Sequence, residues 1–343
     1  EGPMAECARA NLRLRCGERV LLRLASFPAY TFEDLFQGVK SIPWADYLQS
    51  DSIFPVVGYC VGSQLHSVPD CQRIIKKAVV ECLKERCNLS WFPETGVKYQ
   101  IRFALLEDQA EIYLDTTGAP LYKRGYRLAT QQAPLRETLA ASLVKITRYR
   151  GREELIDPFC GSGTLAIEAA MVCCRIAPGA RRSFEGEDWL FEDNACWEEE
   201  RQRALGEEVR EKLPITASDI SGEAVELARE NARRAGVEDL ITIRRADALG
   251  LPYTGRKGVL LTNPPYGQRL STQEEARALY DGLGRVLHQT PGLKKYIITS
   301  DPEFETYFGA KADKRRKLYN GMLKCQLFMY YKQAVEEGRE KRR

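Results

Sequence analysis

The segment Asn263-Pro264-Pro265-Tyr266 carries residue types that suit chemistry on an amino group attached to a flat ring. Each proline restricts its own φ and the residue before it, so we expect an extended, stiff loop. The side-chain oxygen of Asn263 and the main-chain oxygen of Pro264 could each accept one N–H of such an amine. Tyr266 could stack on a base taken out of its helix. The pattern therefore predicts an amine held with its lone pair aimed at an activated methyl group.

A glycine-rich turn earlier in the chain predicts a binding site for a nucleotide-like cofactor. Residues 154–164 read as a short apolar strand, a turn and the start of a helix. Gly161 and Gly163 let the main chain approach a ligand, and the helix N-terminus offers unpaired N–H groups. No Gly-Lys-Thr follows, which excludes a phosphate-binding loop of the P-loop kind.

Two later strands also end in a carboxylate. At the tip of the next strand, Asp219 is placed to accept both ribose hydroxyls of an adenosine, and Asp247 could reach the adenine amino group. Asp219 lies 62 positions after Asp157, against the ~20 of a compact βαβ unit. We attribute this gap to an acidic insert at about 176–214. Together the acidic strand tips and the turn predict S-adenosyl-L-methionine as cofactor.

The elements that must position these residues alternate between helix and strand. Expected strands lie at 154–157, 215–219, 241–245, 258–262 and 296–299, and expected helices at 135–149, 164–175, 222–235 and 274–287. Such alternation predicts a parallel sheet with helices on both faces. A final hairpin is expected around Asn320-Gly321. This hairpin distinguishes a Rossmann-like class I methyltransferase fold, in the α/β class, from dehydrogenase-type folds.

The first third of the chain predicts a smaller α+β module. Its expected strands are 19–25, 55–61, 98–105 and 110–114, and its helices are 32–39 and 69–87. The second helix is basic, whereas residues 185–211 are acidic. This asymmetry suits a protein with a side that faces nucleic acid. The predicted RNA-binding residues are Arg73, Lys76, Lys77, Lys123 and Arg124.

Five segments together resemble the bacterial THUMP-domain guanosine-N2 RNA methyltransferases, and most closely their large-subunit ribosomal RNA group. These are Thr-Gln-Gln-Ala-Pro-Leu-Arg-Glu-Thr (130–138), Asp-Pro-Phe-Cys-Gly-Ser-Gly-Thr (157–164), Ser-Asp-Ile (218–220), Arg-Ala-Asp-Ala (245–248) and Asn-Pro-Pro-Tyr-Gly-Gln-Arg-Leu (263–270). The resemblance implies methyl transfer to the exocyclic N2 of a guanosine in 23S rRNA, in the cytoplasm.

The resemblance also implies roles for individual residues. Asn263 to Tyr266 would hold the guanine amine, Asp219 with Ile220 the ribose, and Asp247 with Ala248 the adenine. The methionine part of the cofactor would be held by Asp157, Pro158, Phe159, Cys160, Gly161, Ser162, Gly163 and Thr164. The cofactor would be covered by Ala133, Pro134, Leu135 and Thr138.

The change of pattern along the chain and the resemblance give a domain plan. It comprises a partial ferredoxin-like segment (1–40), a THUMP-like RNA-binding module (41–115), a linker (116–127), the methyltransferase domain (128–333) and a charged tail (334–343). The ferredoxin-like part of the family is normally longer, so we expect an opening strand and helix to be lacking. A second methyltransferase domain, which some members carry, is also not expected.

The composition limits the classes of protein to which the chain could belong. The chain has 343 residues, 44% apolar and 29% charged, with a net charge of +3, as in soluble globular proteins. No apolar run approaches the ~20 residues of a membrane helix. The eleven cysteines are scattered and only His66 and His288 accompany them, so we expect reduced thiols and no metal site. We expect a monomer.

Other functions share parts of these motifs. An Asn-Pro-Pro-Tyr loop also serves adenine-N6 methyltransferases and glutamine-N5 methyltransferases of release factors. The basic N-terminal module favours structured RNA over protein. A tRNA guanosine-N2 methyltransferase stays open. So does a non-catalytic RNA-binding factor with a vestigial cofactor site, although Gly161, Gly163, Asp219 and Asn263 are intact.

Overall fold

A computed structural model describes residues 2–87, 92–127, 135–191, 194–265 and 273–332. The chain divides into two compact units. The first comprises Glu1–Leu121 and Gly179–Gly206, and the second comprises Tyr122–Pro178 and Glu207–Arg343.

Helices and strands of both units follow one another along the chain, and their bounds define the labels used for them. In chain order they are α1 (Met4–Arg13), β1 (Leu21–Pro28), α2 (Phe32–Lys40), β2 (Val56–Val61), α3 (Val68–Cys87), β3 (Ile101–Leu106), β4 (Gln109–Asp115), α4 (Glu137–Thr147), β5 (Glu154–Asp157), α5 (Thr164–Cys173), α6 (Ala195–Gly206), β6 (Ile215–Asp219), α7 (Gly222–Ala235), β7 (Thr242–Arg245), β8 (Gly258–Thr262), α8 (Gln273–His288), β9 (Leu293–Thr299), α9 (Phe304–Phe308), β10 (Lys314–Asn320) and β11 (Leu323–Tyr330).

The second unit is built on a seven-stranded sheet in the order β10-β11-β9-β8-β5-β6-β7. The five strands from β9 to β7 are parallel, and β11 runs antiparallel to both β9 and β10. The α/β class, the parallel sheet and the terminal hairpin that the sequence predicts are confirmed.

Both faces of this sheet are buried, as helix-covered parallel sheets require. Neighbouring residues on β5 show the alternation: Leu155 belongs to the core under α4, α5 and α7, whereas Ile156 belongs to the core under α8 and α9. Aromatic rings, including Tyr280 and Phe304, fill the second core. The apolar runs predicted as strands are therefore apolar because neither face meets water.

The chain order places a switch point beside β5. From β5 the chain goes to β6 and β7 on one side, and then returns to β8 on the other. Loops leaving the carboxyl ends of β5 and β8 therefore diverge and open a crevice between them, which is the usual place for a ligand in such sheets.

The first unit has a four-stranded sheet in the order β1-β4-β3-β2, with only the β2–β3 pair parallel. Helices α2 and α3 pack together on it. Helix α2 begins with a capping box, in which Thr31 and Asp34 each accept a main-chain N–H of the other. The core includes Trp44, Phe54 and Tyr99, all fully buried.

Residues 179–206, which leave the second unit between α5 and β6, complete the first unit. Trp189 is fully buried in its core, stacks on Tyr99 with 5.5 Å between ring centroids, and donates its indole N–H to the Lys98 carbonyl. Helix α6 packs against α1, where Arg9 forms two hydrogen bonds with Glu200. The sequence predicts a methyltransferase domain over 128–333, and within these bounds residues 179–206 group with the first unit of the structure. Because the stretch is acidic overall, its composition does not indicate that aromatic residues anchor it in a core.

The segment predicted as a linker, 116–127, contains the boundary between the two units, and much of it is buried. Thr116 and Thr117 are fully buried in the first unit and hydrogen bond with Asn11. Arg124 and Tyr126 are buried in the second unit. The unit boundary falls between Leu121 and Tyr122. Gly, Pro and Thr here mark turns rather than flexibility.

Helices α1, α6 and α9 are absent from the sequence-based prediction. Helix α9 has only five residues, too few for a periodic signal, and α6 is rich in charged residues. The predicted tail, 334–343, lies outside the described residues.

Within the described residues, no helix is long and apolar enough to cross a membrane. The same part of the chain holds no group of three or more His, Cys, Asp or Glu side chains arranged to bind a metal ion.

The burial of Trp189 generates a stability prediction. We expect Trp189→Ala to lower the free energy of unfolding of the first unit by about 3–5 kcal/mol, because a large ring leaves a cavity behind. Urea titration followed by circular dichroism measures this. Leu190→Ala is the matched control, since Leu190 is 61% exposed and next in sequence. Equal stability of the two variants would contradict the assignment of this stretch to the first unit.

Candidate functional site

The turn after β5 is shaped by two glycines in the left-handed region. Gly161 has φ +51° and Gly163 has φ +83°, a conformation that residues with a Cβ rarely adopt. A Cβ on Gly163 would lie 3.1 Å from the Cβ of Ala228 on α7, so this glycine also lets α5 and α7 pack closely. A Cβ on Gly161 would meet no atom of the described residues within 4 Å. The turn is therefore open to a ligand at Gly161.

Asp219, at the end of β6, fixes this turn from the neighbouring strand. One carboxylate oxygen accepts the N–H of Gly161 at 3.0 Å, and the other accepts the N–H of Ser221 at 3.0 Å. A carboxylate offers about four acceptor positions, so two remain for hydroxyl groups of a ligand. The structure thus brings together Asp219 and the glycine turn, as the sequence predicts.

Asp157, at the end of β5, is joined to β8 by a buried hydrogen bond. The hydroxyl of Thr262 donates to its carboxylate at 2.7 Å, and the N–H of Phe159 donates at 3.3 Å. Burial raises the pKa of Asp157 to about 7, although both hydrogen bonds act in the opposite direction. This carboxyl group can therefore change its charge when a cation binds beside it.

The residue after Thr262 is Asn263, which is 8% exposed. Its side-chain oxygen is buried and has no hydrogen-bond partner within the described part of the chain. An unpaired buried acceptor costs about 1–3 kcal/mol, so a ligand N–H is its expected partner. Pro264 is buried as well, and Pro265 is half-buried.

Tyr280 on α8 supports this loop, a contribution that the sequence does not reveal. Its hydroxyl donates to the Pro265 carbonyl at 3.3 Å and lies 3.2 Å from the Thr299 hydroxyl. The apolar periodicity of α8 predicts only a core position for Tyr280. Contact with the loop depends on how α8 packs on β8 and β9.

A second edge of the site joins β6 and β7. The N–H of Ala246 donates to the Asp219 carbonyl at 3.0 Å, which brings the end of β7 to the end of β6. Asp247 caps the short turn that follows and is exposed, while Ala248 is buried. Ile220 is 62% exposed beside Asp219. An exposed isoleucine and a free carboxylate edge suit the apolar face and amino group of an adenine.

The segment before α4 is tied to the start of α5 by Arg127. Its guanidinium donates to the Leu135 carbonyl at 3.0 Å and to the Thr164 hydroxyl at 2.9 Å, and it pairs with Glu137 at 3.0 Å. One of its nitrogens is buried without a partner among the described residues. Leu135 and Thr138 are buried nearby on the same segment. The sequence places Arg127 only in a basic group, so this bridging role is new.

Cys160 lies inside the turn and is 6% exposed. Burial raises the pKa of its thiol well above the usual range, and the neighbouring Asp157 and Asp219 carboxylates add to this effect. The thiol therefore stays protonated near neutral pH, and a thiolate nucleophile is disfavoured at this position. The simpler role of Cys160 is to supply a small side chain that fits inside the turn.

Three predicted site residues, Ala133, Pro134 and Tyr266, lie outside the described residues. The five predicted RNA contacts are distributed over both units. Arg73, Lys76 and Lys77 lie on α3 in the first unit, where each forms an ion pair with a nearby carboxylate. Lys123 is exposed in the second unit.

Arg124 does not fit the predicted RNA contact. It is 4% exposed, and its guanidinium pairs with the fully buried Glu168 at 3.4 Å. The hydroxyl of Tyr126 donates to the same carboxylate at 3.3 Å. Arg124 is therefore a buried structural cation, and the prediction is wrong because a local run of basic residues does not show which of them points inward.

The features of the crevice together fit S-adenosyl-L-methionine. Among the residues that the structure describes, Gly161 leaves open space at a helix N-terminus, Asp219 keeps two acceptor positions, and the side-chain oxygen of Asn263 is unpaired. A seven-stranded sheet with a terminal antiparallel hairpin and this crevice defines a class I S-adenosyl-L-methionine-dependent methyltransferase.

Comparison with known proteins places the chain within this class. Residues 124–328 match the family model of the RMKL-like methyltransferase domain, and residues 29–115 match that of the THUMP domain. The chain belongs to the RMKL-like methyltransferase family, with a THUMP domain before the methyltransferase domain.

Two curated relatives illustrate the family. "Putative RNA methyltransferase YpsC" of Bacillus subtilis is 42% identical over 96% of this chain and 87% of that protein. "Ribosomal RNA large subunit methyltransferase K/L" of Psychromonas ingrahamii is 36% identical over 96% of this chain and 45% of that protein. The chain spans about half the length of the K/L relatives it matches.

Solved structures agree on the fold and the cofactor. "SMU.472, a putative methyltransferase complexed with SAH" shares 40% identity and a TM-score of 0.88, over 96% of this chain and 88% of that one. A "predicted N6-adenine-specific DNA methylase" of Listeria monocytogenes shares 41% identity and a TM-score of 0.90, over 96% and 86%. SAH is what remains after S-adenosyl-L-methionine has given up its methyl group, so the predicted cofactor is confirmed.

The raised pKa of Asp157 predicts that cofactor affinity depends on pH. A cationic cofactor favours the ionised carboxylate, and this group is mostly protonated below its pKa of about 7. Affinity should therefore increase with pH, and be about tenfold weaker at pH 6 than at pH 8.

Calorimetric titration with S-adenosyl-L-methionine over this range tests the dependence. Asp157→Asn is the control, because it keeps an acceptor for Thr262 but does not titrate, and it also reports any titration of the cofactor itself. The same pH profile in both proteins would show that Asp157 does not carry the effect.

Proposed function

We propose that this protein transfers a methyl group from S-adenosyl-L-methionine to the exocyclic N2 of a guanosine in RNA, and that the RNA is 23S rRNA. The observation that carries the proposal is the buried oxygen of Asn263, which has no partner in the described ranges and lies next to Pro264, one residue from the Thr262–Asp157 hydrogen bond. An acceptor in that position selects a substrate that brings an N–H into the crevice.

The chain's own residues would act by binding and orientation. The side-chain oxygen of Asn263 and the carbonyl of Pro264 would each accept one N–H of the amine, which turns its lone pair toward the methyl donor. When bound, the cofactor supplies a sulfonium methyl group. Asp219 would hold the ribose hydroxyls, and Ile220 and Asp247 would border the adenine. Asp157 to Thr164 would border the methionine part.

Positioning is sufficient for this chemistry. The lone pair of an aryl amine is delocalised into its ring, and the two acceptors in the loop favour the geometry in which it is available. The amine does not need to lose a proton before it attacks. The stiffness of Pro264-Pro265, together with the Tyr280 hydrogen bond to Pro265, keeps the acceptors in place during transfer.

Support for RNA comes from outside the methyltransferase unit. A THUMP domain occupies residues 29–115, and its helix α3 presents Arg73, Lys76 and Lys77. The names of the Bacillus and Psychromonas relatives also refer to RNA. We propose that these α3 residues and Lys123 contact RNA, and that the protein acts in the cytoplasm as a monomer without a metal.

An adenine-N6 activity is the second candidate, because the Asn263 and Pro264 acceptors fit any exocyclic amine. The name of the Listeria structure refers to this reaction on DNA. A tRNA guanosine, a glutamine side chain and a vestigial site are further alternatives, which a single labelling experiment separates.

The proposed function predicts N2-methylguanosine as product. Total RNA from a strain lacking the protein is incubated with the purified chain and labelled S-adenosyl-L-methionine, separated by size, and digested to nucleosides. We expect label in N2-methylguanosine of 23S rRNA. Label in N6-methyladenosine would show that the target base is adenine, and label in tRNA would show that the substrate is tRNA. Label in protein alone would support the glutamine reaction.

Two substitutions separate the halves of the site. Asn263→Ala removes an acceptor for the substrate, so turnover should fall by roughly 10²–10³-fold while cofactor affinity stays within about twofold. Asp219→Ala removes the ribose acceptor and should weaken cofactor binding first. Cofactor binding is measured by calorimetry and turnover by label transfer to RNA. Loss of cofactor binding in Asn263→Ala would contradict its role toward the substrate.

A further inference from the structure

A groove at the far edge of the methyltransferase sheet has a charge that methyl transfer does not explain. It has a volume of about 550 Å³ and lies within the second unit. It is lined by the end of α4 and by strands β9, β10 and β11. Among the described residues that line it, none is acidic and five are cations: Lys145, Arg148, Lys294, Lys314 and Arg316.

The positive charge of this groove is poorly compensated. Lys294 pairs with Glu153 at 3.5 Å. Within the described part of the chain, no carboxylate lies within ion-pair distance of the other four cations. Like charges held together without counterions repel each other, which lowers stability. An anionic ligand would relieve this repulsion.

The two faces of β10 differ in how their cations are paired. Its residues alternate, so Lys314 and Arg316 face the groove, on the same side as Met329 and Leu327 of β11. On the opposite face Arg315 forms an ion pair with Glu305, and Lys317 lies over the Tyr319 ring. The unpaired cations are therefore on the groove side of the strand.

Arg148 adds a second, independent observation. It ends α4 with φ +59° and ψ +25°, in the left-handed region where glycine is usual. An arginine there costs about 1 kcal/mol relative to glycine, so its presence is not explained by helix termination. The negative end of the helix dipole favours Lys145 and Arg148 at this position. It does not account for Lys294, Lys314 and Arg316, which lie on strands.

The groove is separate from the methyl-transfer site. The outer groove strand, β10, is four strand spacings from β5, about 19 Å at ~4.8 Å per spacing, whereas β9, which also lines the groove, is the neighbour of β8. Lys294 is also near the amino end of β9, whereas the cofactor turn leaves the carboxyl end of β5. A ligand that reaches both places must be extended.

We propose that this groove binds the phosphodiester backbone of the RNA substrate, at nucleotides distant from the one that is methylated. The inference rests on the proposed function, because RNA is the polyanion that the methyl-transfer site would already hold. Lys314 and Arg316 are about 7 Å apart along one strand face, a spacing that suits successive phosphates rather than a single one. Contacts of this kind fix the register of an RNA and carry no sequence information.

The test compares two pairs of substitutions in the same hairpin. Lys314→Gln with Arg316→Gln changes the groove face, and Lys317→Gln with Lys324→Gln removes the same charge from the opposite face. Binding of the full chain to deproteinised 23S rRNA from a strain lacking the protein is measured by filter retention. The salt concentration is varied from roughly 50 to 300 mM, the range over which phosphate contacts weaken.

We expect the groove pair to weaken RNA binding roughly tenfold at low salt and to reduce the slope of log affinity against log salt by about 1.4–1.8, as for two lost phosphate contacts. The opposite-face pair should leave the slope unchanged. In the groove variant the KM for RNA should increase, with kcat at saturating RNA and cofactor affinity unchanged.

Equal effects of the two pairs would overturn the proposal, since net charge alone would then act. An unchanged salt slope in the groove variant, with wild-type methylation of RNA intact, would overturn the groove assignment and leave the proposed function standing. If pyrophosphate stabilises the wild type but not that variant, with RNA binding equal in both, the groove binds a small anion instead. Absence of RNA methylation by the wild type would overturn the proposed function itself.

Discussion

The hydrogen bond from Thr262 to Asp157 is the contact on which the arrangement of the site depends. Asp157 ends β5 and leads into the cofactor turn, while Thr262 ends β8 and is followed by Asn263. One buried contact of 2.7 Å therefore sets the position of the glycine turn after β5 relative to the Asn263 loop after β8. Both residues are almost completely buried, so water does not compete for this bond.

The site is otherwise assembled from main-chain geometry that side chains hold in place. Asp219 fixes Gly161, Asn231 donates to the Ser162 carbonyl, and Tyr280 donates to the Pro265 carbonyl. Each support comes from a different element of the same sheet unit. Such preorganisation suits a reaction that needs orientation more than proton transfer, because little of the binding energy is then spent on ordering the site.

The cations of this protein occur in two settings, in buried ion pairs and on the exposed surface. Buried pairs such as Arg124 with Glu168 stabilise the fold only as pairs, and removing one partner would leave an uncompensated charge. Exposed cations such as Lys314 and Arg316 have no ion-pair partner among the described residues, and their charge is open to solvent. Sequence runs of Lys and Arg mix the two kinds, so their function depends on where each side chain points.

The alternation of strands and helices in the second unit, its parallel sheet and terminal hairpin, and the glycine turn after β5 all follow from the amino-acid sequence alone. They rest on local signals: glycines at required φ values, prolines, and apolar runs of strand or helix length. Other features emerge only once the chain is folded: residues 179–206 belong to the first unit, Arg124 is buried and Tyr280 supports the loop. Another is the face of β10 whose cations have no ion-pair partner in the part of the chain that the structure describes. These features join residues distant in sequence, and packing between elements, rather than local propensity, determines them.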